Sequence, residues 1–212
     1  MVAYLSYQPR QPQQGRFIGP HNVYMDFSTH AHGIPIYYLP GHGGRLTNGL
    51  GQALVHRGYE VVGRETVGHF KKLDFNDQVT TIANDIKQHF WREDGKIIAN
   101  SFGAYLLLHA ISKLTPYMGK ILLLSPIVGE FSSSEIRMGF IPPYAKHLGE
   151  LASANQYPAP INCSFHVGSE DWQSDPENVT AFARALGMPV TVVPGVGHQL
   201  PKDYVSSLID NF

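Results

Sequence analysis

The sequence predicts an α/β protein with a mostly parallel central sheet, helices on both faces and a short insertion. Short apolar segments alternate with helix-forming segments from Ile34 to the C-terminus, a pattern typical of parallel strands joined by crossover helices. Several of the apolar segments end at a glycine, as buried strands often do. Between 74 and 91 the apolar residues recur every three to four positions, which predicts a helix with one face against the sheet.

The predicted elements follow one another along the chain. Strands are expected at six short apolar segments: 34–39, 59–62, 96–99, 120–124, 161–167 and 190–193. Helices are expected at 46–57, 74–91, 102–113 and 176–186, and a closing helix includes 204–209. Asp74 is a suitable N-cap for the second helix. Near the N-terminus, the composition of 8–15 predicts a turn between two short strands.

Residues 126–160 interrupt the alternation. This segment contains Gly, Pro, Ser and aromatic residues with weak periodicity, and it is too long for an ordinary loop. Two interpretations remain open: a small lid over a site, or a surface excursion with one or two short helices. We expect residues 1–212 to form one domain with this insertion, because a chain of 212 residues leaves little room for a second core.

Composition excludes several classes of protein. The formal net charge is −1 with no basic stripe, so nucleic acid is not an expected partner. Cys163 is the only cysteine, which excludes an intramolecular disulfide and a cysteine-built zinc site. Residues 1–16 lack the pattern of a signal peptide, and no apolar stretch reaches the roughly 18 residues of a membrane span. A cytoplasmic location is therefore expected, and the oligomeric state is left open.

Ser101 carries the strongest chemical signal in the sequence. It stands in the segment Ala99-Asn100-Ser101-Phe102-Gly103, where a predicted buried strand turns directly into a predicted helix. Such a sharp turn needs small residues two positions before and after the serine, and it exposes the hydroxyl above the sheet. We therefore predict that Ser101 is a nucleophile. The plain alternative is that its hydroxyl only N-caps the helix.

A nucleophilic serine needs a base and a group that orients the base. His198 follows the last predicted strand in the segment Gly195-Val196-Gly197-His198, and it comes last in the chain order nucleophile, acid, histidine. Asp171 follows the strand at 161–167 and is our choice for the acid. Glu170 and Asp175 compete with it, although Asp175 is also placed to N-cap the helix that opens at 176.

The remaining component is a pair of N–H donors for a developing oxyanion. The N–H of Phe102 is placed by the turn at the serine. A second N–H should come from the loop after the first strand, with His42 as first choice and Gly43 as second. Several aromatic residues could also line an apolar pocket, although most aromatic side chains belong to cores: Tyr37, Tyr38, Phe102, Phe131, Phe140, Tyr144 and Trp172.

Together these segments resemble the α/β-hydrolase superfamily from Ile34 to the C-terminus. The motifs that carry the resemblance are Leu39-Pro40-Gly41-His42-Gly43-Gly44, Ala99-Asn100-Ser101-Phe102-Gly103, Gly168-Ser169-Glu170-Asp171 and Gly195-Val196-Gly197-His198. The chain departs from the usual pattern in two places: Ala99 stands for the first glycine, and Pro40-Gly41 stands for His-Gly. The resemblance implies a site at the C-terminal ends of the strands and an acyl-serine intermediate.

We accordingly expect a serine hydrolase that acts on an ester or thioester of a small-molecule acyl substrate, without cofactor or metal. The alternative is a non-catalytic protein of the same fold that binds a ligand or a partner. A dinucleotide site is disfavoured because Leu46 takes the place of the third glycine of its fingerprint. His30, His32 and His42 could chelate a metal, but no Asp-His pair follows, so solvated histidines are favoured.

Overall fold

The computed structural model describes residues 35–133 and 138–212. Its strands are β1 Ile36–Leu39, β2 Val61–Gly63, β3 Lys96–Asn100, β4 Lys120–Leu124, β5 Phe131–Ser133, β6 Met138–Phe140, β7 Asn162–Gly168 and β8 Val190–Val193. Its helices are α1 Gly49–His56, α2 Gly68–Lys72, α3 Phe75–Asp85, a π-helix Ile86–Phe90, α4 Phe102–Ile111, α5 His147–Ser153, α6 Pro176–Ala185 and α7 Lys202–Asp210.

Six strands form one parallel sheet in the order β2-β1-β3-β4-β7-β8. The predicted fold class is confirmed, because all six predicted strands are present and helices cover both faces. The register pairs Asn100 with Leu124, Leu124 with His166 and Gly168 with Val193. The ends of four neighbouring strands therefore lie at one edge of the sheet.

The two faces of the sheet support separate cores. Along β1, Tyr37 and Leu39 belong to the larger core with residues of α3, α4 and α6, whereas Ile36 and Tyr38 belong to a smaller core that α1 and α7 cover. This division follows from the alternation of side chains along a strand. Because both faces of β1 are buried, all of its residues must be apolar or aromatic, as Ile36–Leu39 are.

Some boundaries differ from the sequence prediction. The first helix begins at Gly49 rather than 46. Leu46 instead lies in the turn before this helix, where its N–H donates to Glu65 Oε1 (3.0 Å). The helix α2 was not predicted, since its five residues are too few to show a periodic apolar pattern. The predicted helix at 74–91 is present, but its last turn is a π-helix. Asp74 precedes α3 without a side-chain capping bond.

The segment 126–160 contains the antiparallel pair β5–β6 and the helix α5. The strand pair was not predicted, because each strand has three residues, too few to show a clear alternation. Side-chain contacts attach this segment to the rest of the protein. Among them, Tyr105 Oη donates to the carbonyl of Pro143 (2.6 Å), and Asn76 Nδ2 donates to Tyr144 Oη (2.9 Å). Phe140, Ile141 and Tyr144 nevertheless remain exposed.

Two sequence predictions lie outside the described residues, namely the turn at 8–15 with its two short strands and the histidines at 30 and 32. Within the described part of the chain, none of the helices combines the length and apolar character of a bilayer span. Across the same residues, no group of three His, Cys, Asp or Glu side chains is suited to hold a metal ion.

Candidate active site

Ser101 lies at the corner between β3 and α4, with backbone angles φ 52° and ψ −124°. A non-glycine residue in this region is strained and must be held by its surroundings. Its N–H donates to the carbonyl of Leu124 (3.0 Å) on the neighbouring strand. Gly103 is required as well, because a Cβ there would clash with the carbonyl oxygens of Leu39 and Pro40. The small residue predicted after the serine therefore lets α4 pack against the end of β1.

His198 and Asp171 lie next to Ser101 in one continuous chain of polar contacts. His198 Nε2 is 2.9 Å from Ser101 Oγ, and His198 Nδ1 is 2.9 and 3.0 Å from the two carboxylate oxygens of Asp171. Asp171 is fully buried, and its Oδ1 also accepts from the N–H groups of Gln173 and Ser174 (3.0 Å each). A buried carboxylate needs such hydrogen-bond partners to replace the water that it loses on burial.

The structure separates Asp171 from its two competitors. Asp175 N-caps α6, because its Oδ1 accepts from the N–H groups of Glu177 (3.1 Å) and Asn178 (3.4 Å). The side chain of Glu170 is exposed, and its N–H donates to the carbonyl of Val196 (2.9 Å). Among the three candidates, only Asp171 contacts His198 in the described residues.

Glycines shape the loop that brings His198 over the sheet. Gly195 has φ +66°, a conformation that costs a residue with a side chain roughly 1–2 kcal/mol. Its N–H donates to Ser169 Oγ (2.8 Å). A Cβ on Gly168 would clash with the carbonyl of Val196. The loop therefore lies directly on the turn that carries Asp171, which explains the short distance between the two side chains.

The loop after β1 lies on the other side of Ser101. A Cβ on Gly41 would lie 3.1 Å from Ser101 Cβ and 3.5 Å from its Oγ, so this backbone approaches the hydroxyl closely. The loop is closed by a bond from the N–H of Gly44 to the carbonyl of Gly41 (2.9 Å). Thr66, which is buried, accepts from the same N–H (2.9 Å) and donates to the carbonyl of Gly41. His42 is exposed on this loop, and its ring lies 6.0 Å from that of Phe102.

Comparison with solved structures identifies the fold. A carboxylesterase from the thaumarchaeon Nitrososphaera gargenis superposes with a TM-score of 0.58 at 14% identity, covering 90% of this chain and 94% of that one. The monoacylglycerol lipase of Paleococcus ferrophilus gives 0.59 at 14% identity, with 89% and 97% covered. An α/β-hydrolase enzyme from the sediment metagenome of the Mar Chica lagoon gives 0.57 at 17% identity, with 92% and 96% covered.

The chain has the α/β-hydrolase fold. The resemblance in the four sequence motifs is thereby confirmed at the level of the fold. No protein-family model and no curated protein sequence matches the chain. Since the identities are 17% or lower, the roles of individual residues depend on the geometry of this chain.

A series of aromatic ring contacts connects the residue after Ser101 with the residue after Asp171. The Phe102 ring lies 6.3 Å from that of Phe140, which lies 5.3 Å from Phe131, and Phe131 lies 5.6 Å from Trp172 beside Asp171. All four of these residues are among the aromatic residues that the sequence analysis proposed for an apolar pocket. Tyr37 and Tyr38, also offered, are instead 1% and 4% exposed in the two cores.

Two surface cavities lie against the insertion and not at Ser101. They have volumes of about 390 and 360 Å³ and lie against residues 128–153 of the insertion. Glu130, Ala145 and Lys146 line both of them, whereas Ser101, Asp171 and His198 line neither. The polar chain centred on His198 is therefore the stronger basis for a functional assignment.

Sequence analysis missed two residues that shape the site. Thr66 follows β2 and supports the loop beside Ser101 from more than twenty positions away. Tyr38 Oη donates to Asn100 Oδ1 (2.9 Å), and burial raises the pKa of this tyrosine well above its usual value, so it stays a donor. Neither contact had a local sequence signal, because each joins the ends of two different strands.

Proposed function

We propose that the protein is a serine hydrolase that cleaves a carboxylic ester or thioester through an acyl-serine intermediate. The observation that carries the proposal is the unbroken chain from Ser101 Oγ through the His198 ring to the Asp171 carboxylate, with contacts of 2.9 to 3.0 Å. Each distance lies in the range that proton transfer requires. All three residues follow strands that end at the same edge of the sheet.

The proposed roles follow from which ring nitrogen faces which group. Asp171 faces Nδ1, so the tautomer with hydrogen on Nδ1 is favoured and Nε2 is left as an acceptor. Nε2 takes the proton of Ser101 as its oxygen attacks the substrate carbonyl. The imidazolium that forms is stabilised by the buried carboxylate, and it then gives the proton to the leaving alcohol or thiol.

The second half of the reaction reverses these steps. Water enters, gives a proton to Nε2 and attacks the acyl carbon, after which Ser101 Oγ leaves with the proton from the imidazolium. The acid product and free enzyme result. All of these proton movements use the same nitrogen, so none requires a further titrating residue.

Two backbone N–H groups are proposed to stabilise the oxyanion. Phe102 is the first residue of α4, where an N–H has no acceptor within the helix and the helix dipole favours negative charge. His42 is proposed to supply the second N–H, because its loop passes beside Ser101 at Gly41. The loss of one such donor typically costs about 10²–10³ in rate.

The acyl group is proposed to lie against the aromatic side chains of Phe102, Phe140 and Trp172. These rings are apolar and are linked to one another through Phe131, and Phe102 is the residue after Ser101. Phe131 and Phe140 come from 126–160, so the insertion would form one wall of the acyl site. A mobile lid remains a prediction for this segment.

The decisive test is labelling by a fluorophosphonate probe together with hydrolysis of p-nitrophenyl esters and acyl thioesters of graded length. The wild type should be labelled and should turn over at least one of these substrates. Ser101→Ala should abolish labelling and reduce turnover by about 10⁴-fold or more, with an unchanged unfolding midpoint. A wild type that is neither labelled nor active would instead support the non-catalytic binding protein.

A further inference from the structure

Ser125 connects three parts of the site, although nothing in the proposed chemistry uses it. It follows β4, is 4% exposed and has φ +43°, a conformation that strains any residue with a side chain. Its Oγ donates to the carbonyl of His198 (2.7 Å), and its N–H donates to the carbonyl of His166 (2.7 Å). The strained backbone therefore aims a buried hydroxyl at the histidine loop.

Ser174 completes the connection from the side of Asp171. It is 3% exposed, and its Oγ donates to the carbonyl of Ser125 (2.7 Å). The same oxygen lies 3.4 Å from His198 Nδ1. A serine hydroxyl has one hydrogen, and here the carbonyl of Ser125 takes it. The oxygen can therefore only accept from the Nδ1–H of His198, as the carboxylate of Asp171 does.

The nucleophile is joined to the same short segment. The N–H of Ser101 donates to the carbonyl of Leu124 (3.0 Å), the residue before Ser125, and the N–H of Ile127 approaches the carbonyl of Ser101 (3.4 Å). The end of β4 thus contacts the backbone of Ser101, the backbone of His198 and the turn that holds Asp171. A displacement of about 1 Å within such an arrangement can lower a rate about 10²-fold.

We infer that Ser125 and Ser174 are positioning residues, whose hydroxyls hold the His198 backbone and imidazole in place between Ser101 and Asp171. This inference rests on the proposed serine hydrolase function. Both hydroxyls act through His198 and neither contacts the substrate. Their removal should therefore slow acylation of Ser101 without weakening the initial binding of a substrate or probe.

Ser125→Gly tests the first hydroxyl without threatening the fold, because glycine adopts φ +43° with less strain than serine. The measurement is the concentration dependence of fluorophosphonate labelling, which separates the maximal labelling rate from the half-saturating probe concentration. We expect the maximal rate to fall about tenfold to a hundredfold, with the half-saturating concentration and the unfolding midpoint unchanged. A maximal rate equal to that of the wild type would overturn the role of Ser125.

Ser112→Ala provides the matched control. Ser112 Oγ also donates to a backbone carbonyl, that of His109 (2.8 Å), but it lies at the far end of α4 from Ser101. Its removal should leave labelling unchanged. An equal loss of labelling in Ser112→Ala and Ser125→Gly would overturn a specific role for Ser125.

Ser174→Ala tests the second hydroxyl, since alanine keeps the N–H that donates to Asp171 Oδ1. We expect a smaller fall in the maximal rate, about threefold to tenfold, because Asp171 still orients the ring. The double variant Ser125→Gly/Ser174→Ala should lose less than the product of the two single losses, since both act on one ring. Independent, multiplicative losses would overturn the shared role.

The same experiment distinguishes failure of the inference from failure of the proposed function. If the wild type is not labelled, or if Ser101→Ala is labelled equally, the serine hydrolase function itself is wrong. If labelling requires Ser101 but is unaffected in Ser125→Gly and Ser174→Ala, only the positioning roles are wrong.

Discussion

The strand ends at the centre of the sheet and the insertion at 126–160 border the same site but are held in different ways. Successive strand ends are joined by backbone hydrogen bonds: Ser101 to Leu124 (3.0 Å), Ser125 to His166 (2.7 Å) and Ser169 to Val193 (2.9 Å). Beyond Ile127, whose N–H approaches the carbonyl of Ser101 (3.4 Å), the insertion contacts α3 and α4 through side chains, including Tyr105 to Pro143 and Asn76 to Tyr144. Its Phe140 and Tyr144 are exposed, whereas its Tyr157 is buried in the core.

This difference matches two different demands on a site. Proton transfer needs atoms held to within a few tenths of an ångström, and backbone bonds between neighbouring strands supply that precision. Contact with an apolar group is non-directional, so side-chain packing from an insertion is sufficient. We therefore expect changes at the strand ends to lower turnover, and changes in the insertion to alter substrate preference.

Among the changes that compare these two regions, the largest effect is expected from Asp171→Asn. The uncharged amide would no longer stabilise the imidazolium and would favour the wrong tautomer of His198, so kcat should fall about 10³- to 10⁴-fold. Asp175→Asn is the matched control, because the same chemical change at the N-cap of α6 retains an accepting oxygen. Its kcat should equal that of the wild type, as should that of Glu170→Gln.

Steady-state kinetics with a good ester decides between these acids. Should Asp175→Asn or Glu170→Gln lose as much activity as Asp171→Asn, the assignment of the acid to Asp171 would be wrong. Comparable losses in all three would indicate instead that the turn after β7 is sensitive to any change of charge.

A smaller effect is expected from Phe140→Ala in the insertion. The variant removes an exposed ring beside Phe102 (6.3 Å), so KM for long apolar acyl chains should rise by about tenfold or less. For an acetyl ester KM should not change, and kcat should be preserved for both. The p-nitrophenyl ester series measures this. A uniform fall in kcat at every chain length would contradict the division between strand ends and insertion.

The contact between α4 and the insertion should make the stability of the protein depend on pH. His109 on α4 is 4% exposed and stacks on His147 of α5 (5.8 Å), with Phe75 and Tyr105 against its ring. Its Nε2 has no hydrogen-bond partner among the described residues. Burial, together with the positive charges of His147 and Lys113, lowers the pKa of His109 to about 3.

A histidine with a lowered pKa in the folded state binds its proton mainly when the chain is unfolded. Its contribution to stability is therefore complete above about pH 6.5 and is lost progressively as the pH falls towards about 3. His109→Phe should accordingly reduce the fall in the unfolding midpoint between about pH 7 and about pH 5. The control is His89→Gln on the exposed face of the π-helix, which should leave that pH dependence unchanged. If the unfolding midpoint of His109→Phe falls with pH as much as that of the wild type, this role of His109 would be wrong.

Much of the fold could be predicted because its signals are local. The alternation of apolar and helical segments located all six parallel strands, and small residues on either side of Ser101 marked the corner between β3 and α4. Asp175 as an N-cap was also a local prediction, and its bonds to Glu177 and Asn178 confirm it. The paired strands β5 and β6 had no such local signal. They are strands because they pair with each other, and this pairing joins residues that are separated in the sequence.

The sequence by itself determined where the candidate residues stand, namely Ser101, Asp171 and His198 at the ends of three strands, because tight turns demand small residues nearby. Only the tertiary structure decided which side chains meet. The short distance from His198 to Asp171 depends on the pairing of β7 with β8, which brings together the turn after one strand and the loop after the other. The contacts of Thr66, Ser125 and Ser174 depend on the same long-range pairing, which no short stretch of sequence encodes.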